Sequence, residues 1–130
     1  MQTGFAARRT NNDRIQWYLD NIPDTFLFLN YANGRSVINS AKSLVSAVGT
    51  HADYLQLPAG IRSVIRDRIL LAAYCVQRLM ELSDSSEGKR IRPSELVTHN
   101  SLAAMLEMTP QQLEAEVVNN EEQILAQRAW

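Results

Sequence analysis

At 130 residues, with 45% hydrophobic and 21% charged residues, the chain has the size and composition of one globular domain able to bury a single core. Thirteen basic against fourteen acidic residues leave a formal charge of −1, so no overall field draws in nucleic acid, a membrane or an acidic substrate, and any charge effect is local. The single cysteine, Cys75, excludes an internal disulfide and a zinc cluster built on thiolates.

No apolar run reaches the roughly 18 residues that span a bilayer, and the opening MQTGFAARRTNNDR carries charge with no apolar segment behind it. The expectation is a cytoplasmic protein with no membrane contact. From Thr10 the chain reads TNNDRIQWYLDNI, where Thr10 and Asp13 have capping-box spacing and Ile15, Tyr18, Leu19 and Ile22 recur at helical intervals, up to Pro23. DTFLFLNYANG follows with an apolar run from Phe26 to Leu29 that is read as helix, although periodicity alone does not separate strand from buried helix over so short a stretch.

Asn33 and Gly34 give a turn signal. Val37, Ile38, Ala41, Leu44, Val45 and Val48 then form an apolar stripe ending at Gly49, a favourable residue just beyond a helix. After Pro58 the segment AGIRSVIRDRILLAAYCVQRLMELS has the strongest pattern. Ile61, Val64, Ile65, Ile69, Ala72, Cys75, Val76, Leu79 and Met80 share a face that Leu70, Leu71 and Ala73 widen, as in a central helix packed on two sides, in a core or a dimer interface. Arg62, Arg66 and Arg68 fall on its polar side. DSSEGKRIRPS reads as a polar loop with a basic cluster at Lys89, Arg90 and Arg92. The expected organisation is one all-α domain: a helical core over 10–82, a loop over 83–93 and a C-terminal subdomain over 94–130.

That subdomain contains SLAAMLEMTPQQLEAEV, Ser101 to Val117. Thr109 suits an N-cap, Pro110 the first helical position and Gln112 the third residue of a capping box, so a helix should begin there after a turn from Glu107 to Thr109. Leu102, Ala103, Leu106, Met108, Leu113 and Val117 supply apolar contacts, with small Ala103 where two helices cross. Here the chain resembles the helix-turn-helix of bacterial transcription regulators of the AraC and cyclic-AMP-receptor types, in an LAxxLxMTPxxLxxxV arrangement of 17 residues. The resemblance implies a regulator of bacterial or phage type that binds DNA as a homodimer or with a partner protein. Thr109, Gln111 and Gln112 would begin its recognition helix, and Lys89, Arg90, Arg92 and Arg62 would meet phosphates.

Two departures from that pattern are visible. Glu107 stands where these regulators usually carry glycine, at a cost of roughly 1 kcal/mol for left-handed backbone. Ser101 to Trp130 also holds five glutamates against Arg128, a net of −4, on a face that would have to approach phosphate. NNEEQILAQRAW follows the second helix, with Asn120 and Gln123 spaced as a capping pair, so a further helix is expected rather than a β-hairpin wing. The alternative function is a protein-binding adaptor or inhibitor that uses Glu114, Glu116, Glu121, Glu122 and Trp130 and never touches DNA. A third possibility is that the motif is packing geometry alone.

Catalytic signals are sparse. His51 lies two residues from Asp53 in an expected loop, and His99 in THNS suits a cap or a surface position. Cys75, on the apolar face of the long helix, reads as a small buried hydrophobe. No phosphate-cradling glycine loop, HExxH or metal-ligand spacing occurs, so neither an enzyme nor a cofactor or metal site is expected.

Overall fold

A computed structural model describes residues 13, 15–17, 20, 34–85 and 93–126. Among these, all regular structure is helical, as the periodicity predicts. The expectations on Thr10, Phe26 to Leu29, Asn33, Lys89, Arg90, Arg92 and Trp130 lie outside the described residues. Near the N-terminus, Asp13, Ile15, Gln16, Trp17 and Asp20 are helical, with Ile15 fully buried.

Helix α1, Gly34–Val48, buries Val37, Ile38, Ala41, Leu44 and Val48 along the expected stripe. It stops at Gly49, whose φ of 90° is open to glycine at little cost and whose N–H donates to the Val45 carbonyl at 2.8 Å. The segment expected to loop at His51 is instead a short helix, α2, His51–Leu55. Thr50 makes it one: its hydroxyl accepts from the Asp53 N–H at 3.1 Å, and the Asp53 carboxylate accepts from the Thr50 N–H at 3.0 Å. A reciprocal cap of this kind satisfies two orphan donors and lets a single turn persist.

Helix α3, Ala59–Ser85, starts after Pro58, whose carbonyl accepts the Arg62 N–H at 2.8 Å. Five consecutive residues, Ile69 to Ala73, are buried, and Cys75, Val76 and Leu79 join them. Five residues cover more than one full helical turn, so α3 is enclosed on every side by its own chain and is the core itself. Val64, assigned to the apolar face by its spacing, lies 45% exposed. The helix also runs to Ser85, into the stretch expected to be loop from residue 83, because nothing in Ser83 or Asp84 prevents an established helix from propagating.

Helix α4, Pro93–Met105, packs on α1, α2 and α3; α5, Pro110–Asn119, packs on α3 and α4; and α6, Glu121–Ala126, packs on α3 and α5. Leu102, Ala103, Met105, Leu113, Val117 and Ile124 drive these contacts into the same core. No helix of the described residues is long and apolar enough to cross a membrane.

Candidate interaction surface

Helix α4 is joined to α5 by a short turn whose hydrogen bonds can be followed one by one. Met108 N–H reaches back to the Ala103 carbonyl and Glu107 N–H to the Ala104 carbonyl, each at 3.0 Å. These are the two bonds of a Schellman ending, and they require the residue between them to be left-handed. That residue is Glu107, with φ of 56°. Thr109 then caps α5: its hydroxyl accepts from Gln112 N–H at 3.1 Å, while the Gln112 carboxamide oxygen accepts from Thr109 N–H at 2.9 Å. Pro110 occupies the first turn, where its missing N–H costs nothing.

Among the residues assigned to DNA, Gln111 projects from the start of α5 into solvent. Thr109 and Gln112 are exposed but engaged with each other, so using Gln112 to read a base would break the cap. Arg62 is half-buried and donates from Nη1 to the Leu55 carbonyl at 3.0 Å, closing the end of α2. Arg66, the nearby alternative, forms an ion pair with Glu116 that ties α3 to α5. Both arginines therefore already have structural partners.

Among the residues assigned to a protein partner, Glu114, Glu121 and Glu122 are exposed, and none forms an ion pair among the described residues. Glu116 differs, because its charge is met by Arg66. Asn120, expected to cap α6 with Gln123, instead closes α5: its side-chain amide donates to the Glu116 carbonyl at 2.7 Å. The chain then enters α6 at once, and a helix follows α5 where a wing would otherwise stand.

Both histidines depart from the sequence reading. His51 belongs to α2, and its Nδ1–H donates to the Met105 carbonyl, the last of α4, at 2.8 Å; Nε2 lies 3.5 Å from the Glu107 carboxylate. Sequence reasoning had no signal for this contact, which joins positions 54 apart. His99 is not on the surface. It is 2% exposed in the interface of α4 with α3, and its Nε2 accepts from the Gln77 side-chain amide at 2.8 Å. Burial, which penalises the charged imidazolium, lowers its pKa, and the Glu114 carboxylate opposes the shift. Burial likewise raises Tyr54, against the pull of Arg66 and Arg62.

Cys75 is buried in the core, as its position on α3 predicts. Among the described residues, no three His, Cys, Asp or Glu side chains are grouped to hold a metal. The described residues thus form a set of packed α-helices, with Glu114, Glu121 and Glu122 exposed on the last two. No known protein family, curated protein or solved structure matches the chain.

Proposed function

We propose that this is a small, non-enzymatic regulatory protein whose helix-turn-helix corner is a scaffold for binding a basic protein partner. One observation carries the reading: from Pro93 to Ala126 the chain contains six glutamates and neither lysine nor arginine. A DNA-reading helix draws most of its affinity from neutralised phosphates, whereas here Glu114, Glu121 and Glu122 point to solvent and the adjacent Arg62 and Arg66 are engaged within the fold. Such a face would repel a duplex and attract a cationic surface, raising the rate of encounter with it.

A second reading, a transcription regulator that binds DNA as a homodimer or with a partner, is favoured by the left-handed Glu107 and the reciprocal cap of α5. In it, Gln111 reads a base edge and Lys89, Arg90 and Arg92 hold phosphates. The deciding measurement is fluorescence anisotropy on mixed-sequence duplex DNA and on a lysine-rich helical peptide at two salt concentrations. Salt-sensitive binding to the peptide with none to the duplex is expected. Specific, salt-sensitive duplex binding that weakens when Lys89, Arg90 and Arg92 become alanine would replace the first reading with the second.

A further inference from the structure

We infer that the cleft between α3 and the α5–α6 junction is the anchor point of that interaction, and that it takes an aliphatic side chain flanked by lysine or arginine on a helical segment of the partner. The inference rests on the protein-binding reading and adds the place and the chemistry of the contact. Tyr74, Gln77, Arg78 and Glu81 of α3 form one wall of the cleft, and Val118 and Glu121 form the other. Val118 is 68% exposed, more than any other large hydrophobic side chain among the described residues, while its neighbour Val117 is buried beneath the same cleft. The cleft is lined mostly by polar side chains, and Val118 is the aliphatic surface it leaves open to solvent where α5 gives way to α6.

Among the described residues, the charges around Val118 that are not paired within the fold are acidic. Glu114 stands one helical turn before Val118, Glu121 lines the cleft and Glu122 follows it, all exposed. Among the described residues, the one cation in the cleft wall, Arg78, is paired with Glu81 at 2.9 Å, which leaves the wall net negative through Glu121. An aliphatic side chain alone would satisfy Val118 but not the carboxylates, and a phosphate would be repelled by them. A second copy meeting this face isologously would set glutamate against glutamate. A cation-flanked aliphatic residue covers Val118 and neutralises its rim in one contact.

The test uses an alanine-based helical peptide with one leucine flanked by lysines at helical spacing, titrated into the full chain by calorimetry. Val118→Ser, at an exposed site, should leave helicity unchanged and weaken binding roughly tenfold without altering its salt dependence. Replacing the peptide's leucine by alanine should do the same. Glu114→Gln with Glu121→Gln should weaken binding at low salt and flatten its salt dependence. If the charge changes abolish binding while Val118→Ser and the alanine peptide behave as wild type, the cleft is overturned and the cationic-partner reading survives. Binding to no peptide at low salt overturns both. Dimerisation of the wild type that Val118→Ser dissolves would assign the cleft to a second copy, and peptide binding seen only in Trp130→Ala would assign it to the chain's own tail; either result overturns the proposal.

Discussion

After α1 the chain turns through Gly49 at φ 90° and re-enters a helix at the N-cap Thr50; after α4 it turns through Glu107 at φ 56° and re-enters at the N-cap Thr109. Both N-caps close a reciprocal box, one with Asp53 and the other with Gln112. Yet one left-handed position is glycine and the other glutamate. At Gly49 a Cβ would stand 2.4 Å from the Asp53 carboxylate, because the cap follows immediately and its side chain fills the space. After Glu107 one more residue, Met108, precedes the cap, and a side chain is accommodated at the cost of its dihedrals alone. Glycine is therefore favoured in the first turn on two counts: its φ of 90° lies beyond the left-handed well that Glu107 occupies at 56°, and the neighbouring cap crowds the place of a Cβ. The two turns also brace each other, since His51 of the first bonds the end of α4 and faces Glu107 in the second.

Four changes would break or sharpen this contrast. Gly49→Ala is expected to cost most: about 1–3 kcal/mol of backbone strain, plus about 1 kcal/mol if the displaced Asp53 releases its cap. Urea unfolding would measure it, and a loss no larger than for an exposed alanine elsewhere would refute the crowding argument. Thr109→Ala and Thr50→Ala should each cost about 1 kcal/mol, because each removes one hydroxyl acceptor from a helix start. Unequal losses would show that the two caps are not equivalent. Glu107→Gly should raise the melting temperature slightly, with a gain of up to about 1 kcal/mol from relieved left-handed strain, offset in part by the lost His51 contact. A decrease would mean that the contact outweighs the strain.

The smallest effect is read at His99, by pH. Burial holds the folded pKa of His99 below its ordinary value of 6.5, so the unfolded chain binds the proton more readily. The stability that His99 contributes as a neutral residue is complete above pH 6.5 and declines as pH falls through 6.5 toward the lower folded value. His99→Gln should therefore lose less stability than the wild type between pH 7.5 and 5.5, all other titrating groups being common to both. Equal slopes would refute the assignment.

The start of α5 after the turn from α4 was legible in the sequence because its determinants are local. Thr109, Pro110 and Gln112 announce the start of α5, and the apolar residues at fixed distances from them reach the core. Stripes such as Val37 to Val48 were equally readable. Helix α4 was not, because its polarity is partly inverted. Glu95, Thr98 and His99 face the interior while Leu96 and Val97 face solvent, the latter 60% exposed, so periodicity misdirects a reader about His99. The pairing of Arg66 with Glu116 spans 50 positions and left no trace in local spacing. It changed the reading of the acidic face, since Glu116 is spent inside the fold and replacing it would test stability more than recognition.

The enclosure of Ile69 to Ala73 has a consequence for how the molecule opens. Helices α1, α4, α5 and α6 all rest on α3, so none of them has a separate centre to fall back on. Deuterium uptake at the amides of Ile69 to Ala73 would then require the chain to come apart as a whole, and its rate there would read the global unfolding equilibrium. Exchange at α6, six residues long and at the margin, would run ahead of it. A ligand that secures α5 and α6 would slow exchange first at that margin, and would slow it at the centre of α3 only by as much as it stabilises the entire fold.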